Sequence, residues 1–462
     1  MKVSFEITSG EVAAITNGKI LSGSTDVNIK TITSDSRELG EDNLFIPIKG
    51  ENFDGHDFIA PLFDEKKILC SLTMADGFEE SAEKNGATLI RCDDTLCALG
   101  RLGRFNRMKY SPFIVGVTGT NGKTTTKELI AEVLSVKYKT LKNKKNYNNE
   151  IGVPFTLLEM DKSHEAAVIE MGMNHRGEIE RLSKMVMPEI GVITSIGAGH
   201  LEFLGTVENV ARAKSEIVSG MKKDSLLLVN GDTECLNIVH ELAVSAELKV
   251  LTYGLNQRCN FKPESYKMTQ AGVSLVYSGI DFSVPLYGKH NLYNLLAAIA
   301  IADLVGISLS EVKERLASFE NVAGRSEIID RGFIVINDTY NSNPLSSLYA
   351  LESLCEVFPS RRKIAVLADM KELGELAPLY HIKVGEFVAA RNFKELLLFG
   401  DMAQYYQKGA LSAGMKADKI MIFDDKMALA LYLREKLTER DVVLVKGSRS
   451  MKMEDVVQRL IS

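Results

Sequence analysis

Cysteine and proline are both scarce in this sequence. The six cysteines, at positions 70, 92, 97, 235, 259 and 355, show no CxxC or disulfide-framework spacing, which indicates a reducing compartment. No run approaches the ~18 consecutive apolar residues of a transmembrane helix. The first twenty residues also lack the unbroken apolar core of a secretory signal. We therefore expect a cytoplasmic protein without membrane insertion.

An excess of positive charge is also missing. The 55 Lys and Arg residues against 61 Asp and Glu residues give a net charge of −6, which does not indicate nucleic-acid binding. A composition of 45% apolar and 25% charged residues is typical of globular proteins. The length of 462 residues predicts about three domains at roughly 150 residues each. A chain of this length needs no disulfide or metal ion to stabilise its cores.

Short apolar runs typical of buried strands alternate with amphipathic stretches along most of the chain. This alternation predicts an α/β fold with largely parallel sheets covered by helices. The first such runs are 44–48, 68–72 and 89–90, followed by a helix over 96–108. Central runs are 113–117, 166–169, 190–196, 226–229 and 250–253, followed by an Ala-rich buried helix over 291–305. After Gly324 the alternation restarts with runs 333–336, 364–367, 396–399, 420–423 and 442–445. We predict three domains, at residues 1–90, 91–322 and 323–462.

The clearest local signal is GVTGTNGKTTTK at residues 116–127, which joins an apolar strand to a helix. Gly119 and Gly122 allow backbone N–H groups to approach an anion, and the helix N-terminus adds partial positive charge. Lys123 can neutralise phosphate oxygens, and the Thr124 hydroxyl can join the shell of a Mg²⁺ ion. The loop departs from the common GxxxxGK[ST] pattern, because Val117 stands where that pattern has glycine. The alternative is an ordinary glycine turn that caps a helix, which the order of strand, loop, Lys-Thr and helix disfavours.

Candidate metal ligands follow two of the predicted central strands. Glu170 ends the run 166–169 and His200 lies just beyond the run 190–196. Ligands of open α/β sheets bind at the carboxyl ends of strands. Each residue also has a simpler interpretation, as a solvated surface glutamate or a loop histidine bonded to backbone.

Lys214 lies on an amphipathic helix, where a lysine is normally solvated. The five lysines within residues 137–150 either belong to a solvated loop or helix end, or attract an anionic substrate.

Taken together, these segments resemble the Mur ligase family, most closely its MurF type, over essentially the whole chain. The motifs occur in the family's order: SDSR (34–37), LFIPIKG (44–50), DGHD (54–57), GVTGTNGKTTTKE (116–128), NNEIGVP (148–154), EMGMN (170–174), GAGH (197–200), AKSEI (213–217), GKHNLYN (288–294), GR (324–325), NDTYNSNP (337–344) and LVKGSR (444–449). The chain departs from the family pattern in two places. Ala368 stands in place of the glycine of the usual MurF-type GDMxELG motif, and the Asp-Asn-Pro-Arg tetrad of the tripeptide-forming (MurE-type) ligase is absent. The absent tetrad favours a dipeptide acceptor over a diamino acid.

The resemblance implies an α/β protein of three domains. These are an N-terminal module that binds UDP-N-acetylmuramoyl-tripeptide, a central phosphate-loop ATPase-like domain with a parallel sheet, and a C-terminal Rossmann-like, doubly wound domain that binds the acceptor. The implied reaction is ATP-dependent amide formation with D-alanyl-D-alanine through an acyl phosphate, in peptidoglycan precursor synthesis. Two Mg²⁺ ions and a carbamylated Lys214 would assist, and we expect a monomer.

The resemblance also implies roles for individual residues. The ATP-binding residues would be Gly119, Thr120, Asn121, Gly122, Lys123, Thr124, Thr125, His290, Asn291, Asn294, Arg325, Asp338 and Tyr340. The metal-binding residues would be Thr124, Glu170, His200 and Lys214. The residues for the UDP substrate would be Ser34, Asp35, Ser36, Arg37, Lys49, Gly50, Asp54, His56, Asn148 and Asn149. The catalytic residues would be Lys123, Lys214, His200 and Asn341.

Two other interpretations stay open at this point. Folylpolyglutamate synthase or another Mur ligase would share the central and C-terminal domains, although the N-terminal SDSR and DGHD motifs argue against the folate enzyme. An ATP-driven motor or a switch GTPase could use the same loop. Neither accounts for the C-terminal α/β unit, and no [NT]KxD guanine-specificity motif follows the loop at the expected distance.

Overall fold

The computed structural model describes residues 2–38, 43–50, 52–320 and 324–462. Its strands form three six-stranded sheets and one three-stranded sheet, which are consecutive along the chain. This arrangement confirms the predicted α/β class. None of the helices in these ranges is long and apolar enough to cross a membrane.

The first sheet is mixed, in the order β1-β3-β4-β5-β6-β2, with strands β3 to β6 parallel and both edge strands antiparallel. Its strands are β1 Lys2–Thr8, β2 Lys19–Ser22, β3 Asn28–Thr33, β4 Asn43–Phe45, β5 Cys70–Thr73 and β6 Thr88–Arg91. Its helices are α1 Ser9–Thr16, α2 Ile59–Asp64 and α3 Glu79–Asn85. The expected boundary after residue 90 falls inside β6, because Arg91 still pairs with Lys19 and Thr73.

Helix α4, Thr95–Tyr110, joins the first sheet to the second and confirms the helix predicted over 96–108. It begins at Asp94, whose carboxylate accepts a hydrogen bond from the Cys97 N–H at 2.7 Å, as an N-cap does. Its buried Asn106 donates to the carbonyls of Leu157 and Met160, both at 2.9 Å. The helix therefore ties the first unit to the second by polar contacts as well as by packing.

The second sheet is parallel throughout, in the order β12-β11-β10-β7-β9-β8. Its strands are β7 Phe113–Thr118, β8 Thr140–Lys142, β9 Ala166–Glu170, β10 Ile190–Ile193, β11 Leu226–Asn230 and β12 Lys249–Tyr253. Its helices are α5 Lys123–Leu134, α6 Gly152–Leu158, α7 Glu178–Val186, α8 Leu201–Leu204, α9 Val207–Ser215, α10 Leu236–Ser245, α11 His290–Val305 and α12 Leu309–Ala317. Helix α11 is buried from Asn291 to Ala302, as its Ala-rich sequence predicts.

Two features of this unit differ from the predictions. Strand β10 ends at Ile193 instead of at residue 196, because Thr194 and Ser195 turn their hydroxyls to the Asn121 carbonyl of the phosphate loop. An antiparallel sheet that was not predicted follows β12, with strands β13 Ser265–Thr269, β14 Gly272–Tyr277 and β15 Ile280–Val284.

The third sheet has the order β16-β17-β21-β18-β19-β20, parallel except for the edge strand β16. Its strands are β16 Glu327–Asp330, β17 Ile334–Asp338, β18 Arg362–Ala368, β19 Glu395–Phe399, β20 Ile420–Phe423 and β21 Asp441–Lys446. Its helices are α13 Pro344–Val357, α14 Ala377–Ala390, α15 Ala403–Ser412, α16 Lys426–Lys436 and α17 Glu454–Ile461. The five predicted strands of this part are confirmed, and the expected boundary at 322/323 lies outside the described residues.

Apolar packing continues from unit to unit. Phe155 and Leu158 of α6 belong to the core of the first sheet. A larger core runs from Ile193 and Tyr287 of the second unit to Leu354 and Phe358 of the third. The rings of Tyr287 and Phe358 lie 6.1 Å apart. The second and third units are therefore held face to face, with the carboxyl ends of their parallel strands near a shared cleft.

Candidate functional site

The phosphate loop connects the central strand β7 to helix α5. Gly122 has φ 82° and precedes the helix, and a Cβ there would lie 2.4 Å from the Asn294 side-chain oxygen. A Cβ on Gly119 would lie 2.1 Å from the Thr194 hydroxyl. Both positions therefore exclude side chains on steric grounds. Thr120 and Asn121 donate their N–H groups to Ser195, both at 2.8 Å, so the donors left for an anion are those of the first turn of α5.

Lys123 begins α5, and its ammonium folds back over the loop. Its Nζ donates to the carbonyls of Gly119 at 2.8 Å and Thr120 at 3.2 Å. Burial lowers the pKa of Lys123, and the nearby Glu170 carboxylate opposes that shift. This arrangement places a cation at the centre of the anion cradle, as the sequence predicts.

Thr124 connects this loop to two other predicted residues. Its hydroxyl lies 3.2 Å from Glu170 Oε1 and accepts a hydrogen bond from Arg325 Nη2 at 3.1 Å. The Arg325 guanidinium also lies over the ring of Tyr340, 4.1 Å from its centroid. The expected ATP-binding residues on the second and third units therefore meet at Thr124.

Glu170, at the end of β9, is 1% exposed. Its Oε1 accepts a hydrogen bond from Asn148 Nδ2 at 2.7 Å, whereas its Oε2 is buried without a hydrogen-bond partner. Lys127 Nζ is 3.9 Å from Oε2, and it donates to the Asn143 carbonyl at 2.7 Å. A buried carboxylate oxygen beside a threonine hydroxyl fits the oxygen ligands that Mg²⁺ prefers. In the described ranges, no three His, Cys, Asp or Glu side chains are grouped so as to hold a metal ion.

His200 lies between β10 and α8 with a left-handed backbone, φ 54°. Its Nδ1 is 2.7 Å from Glu372 Oε2, a residue of the third unit. Burial lowers the pKa of the His200 imidazole, with Glu372 opposing the shift and the nearby Lys214 adding to it. The structure therefore brings His200 near the expected site, next to a carboxylate that the sequence analysis did not identify.

Lys214 is fully buried on α9, which contradicts the interpretation as a solvated lysine. Its Nζ has no hydrogen-bond partner among the described residues. Burial lowers the pKa of Lys214 well below its ordinary value, and the charge of Lys123 lowers it further. The helix therefore holds an amine in a place where the ammonium form is disfavoured.

The third unit supplies a second group of charges. Asp338, at the end of β17, accepts a hydrogen bond from Lys446 Nζ at 2.5 Å and from the Ser326 N–H at 3.1 Å. Burial alone would raise the pKa of Asp338, but the adjacent Lys446 ammonium lowers it. Lys446 also donates to the Asn341 carbonyl at 3.0 Å, which fixes the turn after β17.

Three predicted residues lie on the first turns of α11. Asn294 accepts a hydrogen bond from the Thr126 hydroxyl at 3.0 Å and donates to Asn291 at 2.8 Å. Burial lowers the pKa of His290 to about 4, so this imidazole is neutral at pH 7. These side chains present neutral donors and acceptors, which suits recognition of an uncharged heterocycle.

Most of the groups described above line one cleft of about 630 Å³ between the second and third units. Gly119, Asn294 and Lys214 do not line it. The expected ATP-binding residues that line the cleft are Thr120, Asn121, Gly122, Lys123, Thr124, Thr125, His290, Asn291, Arg325, Asp338 and Tyr340. Asn341, Glu170, His200 and Asn148 line it too. A smaller adjoining pocket is lined by Asn294 and Tyr293, together with Asn121 and His290.

The residues expected to bind the UDP substrate are not brought together with this cleft, except for Asn148. Asp35 instead pairs with Arg37 through two hydrogen bonds of 2.9 and 2.8 Å. His56 is buried, with Nδ1 2.6 Å from Asp54 and Nε2 accepting from the Met74 N–H. It therefore braces a loop instead of presenting a free ring.

The remaining expected UDP-substrate residues also have local partners. Asn149 accepts hydrogen bonds from the N–H groups of Ile151 and Gly152 at the start of α6. Lys49 lies 3.6 Å from Asp54, and the Gly50 N–H donates to the Phe53 carbonyl. Ser34 and Ser36 lie in the same turn as Asp35 and Arg37, in the first unit. These positions stay a prediction of a separate surface for the first substrate.

The lysines of residues 137–150 are largely engaged with neighbouring side chains. Lys142 pairs with Glu128, Lys144 pairs with Glu159 at 2.9 Å, and Lys139 donates to the Ser163 hydroxyl. These contacts favour the solvated-segment interpretation over a free cluster of positive charge.

Several residues of the cleft were assigned no role by the sequence analysis, and three of them are charged or polar side chains with contacts described here. Lys446 ends β21, Glu372 follows β18, and Asn343 caps α13. Asn343 and Asn121 exchange side-chain amide hydrogen bonds of 3.1 and 2.7 Å. All three follow predicted strands of the third unit, so the rule that ligands bind at strand ends could have identified them.

The fold and the cleft together define an α/β protein with a phosphate-type loop at the junction of two units. Comparison with known proteins specifies the class further. Residues 117–302 match the Mur ligase middle domain, and residues 324–449 match the Mur ligase glutamate ligase domain. The UDP-N-acetylmuramoyl-tripeptide–D-alanyl-D-alanine ligase of Bacillus subtilis is 35% identical over 94% of this chain and 93% of its own length.

Solved structures agree with this similarity. A MurF crystal structure from Acinetobacter baumannii has a TM-score of 0.88 and 27% identity, covering 99% of this chain and 100% of that one. The MurF ligase of Thermotoga maritima in complex with ADP has a TM-score of 0.82 and 27% identity, covering 93% and 96%. The chain belongs to the Mur ligase family.

Proposed function

We propose that this chain is the ATP-dependent ligase that joins D-alanyl-D-alanine to UDP-N-acetylmuramoyl-tripeptide, with release of ADP and phosphate. The observation that carries the proposal is the meeting of the phosphate loop with Arg325 and Asp338 of the third unit in one cleft. Its similarity to a ligase of that name over nearly its whole length supports the choice of substrates. The motor and GTPase alternatives have no use for a third α/β unit facing the nucleotide.

The first chemical step brings two anions together. The tripeptide carboxylate attacks the γ-phosphorus of ATP, which forms an acyl phosphate and releases ADP. Lys123 and Arg325 neutralise charge on the transferring phosphoryl group, because Lys123 lies over the loop at Gly119 and Arg325 contacts Thr124. The neutral amine of D-alanyl-D-alanine then attacks the acyl carbon, and phosphate leaves from the tetrahedral intermediate.

Mg²⁺ would be held by Thr124, Glu170 and His200, and it would supply further charge neutralisation at the phosphates. The fit rests on the buried Glu170 Oε2, which has no hydrogen-bond partner and lies on the same carboxylate as the Thr124 contact. We infer two such ions, the second with Lys214 in its surroundings.

Lys214 would act as a carbamate. Its neutral amine adds to CO₂ and releases one proton, which leaves an anionic group with two oxygens. The buried Nζ without a partner supports this proposal, because the carbamate replaces a desolvated cation by a hard ligand for Mg²⁺. Asn341 would approach the reacting centre from the turn that Lys446 fixes.

Each unit would bind one reactant. The first unit would bind the UDP substrate through the turn at residues 34–37 and the loop at 49–56, the second would bind ATP, and the third the dipeptide. Water would hydrolyse the acyl phosphate, so closure of the three units would protect it. We further propose that the enzyme acts as a monomer in the cytoplasm, in the synthesis of peptidoglycan precursors.

The test is a product assay by mass spectrometry. Purified enzyme would be given ATP, Mg²⁺, UDP-muramoyl-tripeptides that end in L-lysine or meso-diaminopimelate, and several dipeptides or single amino acids. We expect phosphate release only when a tripeptide substrate and D-alanyl-D-alanine are present together, with a pentapeptide product. Activity with a single amino acid alone as acceptor would reject the proposed acceptor, and nucleotide hydrolysis that needs neither substrate would reject a ligase.

A further inference from the structure

One residue of the third unit makes two contacts with the second unit at the expected metal site. The carboxylate of Glu372 lies 2.7 Å from His200 Nδ1. Its main-chain carbonyl accepts a hydrogen bond from the Glu202 N–H at 3.0 Å, at the start of α8. Side chain and backbone of the same residue therefore hold both sides of the turn that carries His200.

The backbone on both sides of this contact is unusual. His200 has φ 54° and Glu372 has φ 64°, which is the left-handed region that residues other than glycine rarely occupy. Gly374, φ 54°, brings its chain so close that a Cβ there would lie 3.1 Å from the Glu202 Cα. Such conformations persist where the surrounding structure imposes them, and they concentrate at functional sites.

The segment 368–372 is anchored firmly in the third unit. Buried Asp369 accepts hydrogen bonds from the N–H groups of Asp401 and Met402, at 3.1 and 3.0 Å. The Met370 N–H donates to His381 Nε2 at 3.0 Å, and the Lys371 N–H donates to the Ser448 hydroxyl at 2.8 Å. Glu372 therefore extends from a rigid support, so its position reports where the third unit lies relative to the second.

The covered side of the His200 ring faces Glu372. Nδ1 is shielded from solvent, and its 2.7 Å contact with Glu372 lacks the angle of a hydrogen bond, although the whole side chain is 20% exposed and lines the cleft. A contact of this length between the nitrogen and a carboxylate oxygen is attractive only when the nitrogen carries a proton. Glu372 is the one carboxylate within ion-pair distance of this nitrogen in the described chain. The exposed part of the ring is therefore not Nδ1, which leaves Nε2 as the nitrogen available to a ligand.

We propose that Glu372 is a positioning residue, which reaches from the third unit to keep the proton of His200 on Nδ1, so that Nε2 keeps its lone pair for Mg²⁺. A carboxylate on the far nitrogen of a metal-binding histidine fixes the tautomer and the ring orientation. Because Glu372 belongs to a different unit, this alignment is complete only when the two units have closed. The inference rests on the proposed role of His200 as a metal ligand.

The test combines a spectroscopic and a kinetic readout in Glu372→Gln, Glu372→Ala and the control Glu375→Gln. Glu375 lies three residues further along the same segment and is exposed. In metal-free enzyme labelled with ¹⁵N-histidine, we expect the wild-type His200 to carry its proton on Nδ1, with signals assigned through His200→Gln. Glu372→Ala should shift this tautomer population towards Nε2–H, and Glu375→Gln should not.

The kinetic readout is the Mg²⁺ concentration that gives half-maximal phosphate release. Loss of such a partner typically weakens metal affinity or activity 10- to 100-fold. We expect at least a tenfold increase in Glu372→Ala, a smaller increase in Glu372→Gln, whose amide oxygen can still accept a hydrogen bond, and no change in Glu375→Gln. Thermal unfolding midpoints equal to that of the wild type would exclude general misfolding.

An unchanged His200 tautomer together with an unchanged Mg²⁺ requirement in Glu372→Ala would overturn the inference. Nε2 protonation in the wild-type enzyme would overturn it as well. The proposed function fails by a different result, which is absence of the pentapeptide product in the wild-type assay. The tautomer measurement needs neither substrate nor metal, so the two failures are distinguishable.

Discussion

Of four lysines in this part of the molecule, three are buried and Lys123 is partly exposed, and their partners differ. Lys123 and Lys127 each donate to main-chain carbonyls, and Lys446 donates to Asp338. Lys214 alone of the four has no hydrogen-bond partner in the described ranges. Removing an unpaired charge from water costs several kcal/mol, so an amine in this place favours loss of its proton or reaction to an anion. Residues of one type, here lysine, therefore differ in function because their surroundings differ.

At this scale the sequence predicts residues whose partners are close in the chain. The phosphate loop is identified because its strand, glycines, lysine and helix are contiguous. The roles of Lys446 and Glu372 depend on partners more than 100 residues away, Asp338 and His200, which no local pattern reveals. The burial of Lys214 could not be predicted for the same reason, since the sequence of α9 is that of an ordinary amphipathic helix.

Replacing Lys214 by alanine should abolish most ligase activity, because it removes the amine that forms the carbamate. Short carboxylates such as acetate or formate should restore part of the activity, since they can occupy the vacated space as anionic oxygen ligands. Lys214→Glu should recover little, because its shorter chain misplaces the carboxylate. The measurement is phosphate release at limiting Mg²⁺ with increasing carboxylate. Full turnover of Lys214→Ala at limiting Mg²⁺ would contradict the carbamate.

At the scale of elements, apolar runs predicted the buried parallel strands well. Strands β9, β11, β18 and β21 all contain their predicted runs, since strands buried on both faces are continuously apolar. The antiparallel sheet β13–β15 was missed for the opposite reason. Strand β13 is exposed over Ser265, Tyr266 and Lys267, and so carries no apolar run. Half-exposed elements are specified mainly by their neighbours.

The turn from β7 into α5 gives a direct test of the glycine requirement. Gly122→Ala would force a Cβ against Asn294, whose amide is already bonded to Thr126 and Asn291. We expect at least tenfold weaker ATP binding by calorimetry. Gly86→Ala is the matched control, because Gly86 also has a positive φ, 64°, but nothing lies within 4 Å of its Cβ position.

The control should lose only about 1–2 kcal/mol of stability for a left-handed alanine. ATP binding by Gly122→Ala that is as tight as binding by Gly86→Ala would show that the contact with Asn294 is irrelevant to the cradle.

The support beneath the segment 368–372 has a predictable pH dependence. His381 is buried, accepts a hydrogen bond from the Met370 N–H and has Nδ1 2.6 Å from the Ala377 carbonyl. Burial lowers the pKa of His381 below 6.5, so near that pH the unfolded chain binds a proton that the folded chain does not. The free energy of unfolding should therefore fall as pH decreases from about 6.5 towards the folded pKa.

His381→Gln should flatten this pH dependence, because the amide does not titrate yet can still accept from Met370. At pH 8 the variant should be about 1–3 kcal/mol less stable, since the Ala377 carbonyl loses its donor. Urea denaturation between pH 5 and 8 measures both effects, and exposed His240→Gln serves as control. An acid slope identical to that of the wild type would exclude His381 as its source.

At the scale of the whole molecule, the sequence predicted three α/β units and their order, but not how they meet. How the units pack together depends on contacts such as the hydrogen bonds that Asn106 donates to main-chain carbonyls. It also depends on the continuous core around Tyr287 and Phe358. Those side chains appear in the sequence as ordinary interior residues. The same limit explains why the expected UDP-substrate residues could be assigned to the first unit, while their distance from the nucleotide cleft became visible only in the structure.

Besides the contact of Arg325 with Thr124, the phosphate loop is connected to the third unit by the side-chain amides of Asn121 and Asn343. Asn343 also caps α13 by accepting a hydrogen bond from the Ser346 N–H at 2.9 Å. Asn343→Ser therefore separates the two roles, because a serine can still cap the helix but is too short to reach Asn121. Asn343→Ala removes both.

We expect Asn343→Ser to weaken nucleotide-dependent closure. Two neutral hydrogen bonds at about 0.5–1.5 kcal/mol each imply a shift of roughly 5- to 150-fold in the equilibrium between open and closed arrangements. Small-angle scattering with and without ADP would show less compaction than in the wild type, and Asn343→Ala should also lower the unfolding temperature. Because the two amides bond each other, adding Asn121→Ser to Asn343→Ser should change closure little further. Equal compaction of wild type and Asn343→Ser would mean that the amide pair is not needed to bring the third unit onto the nucleotide.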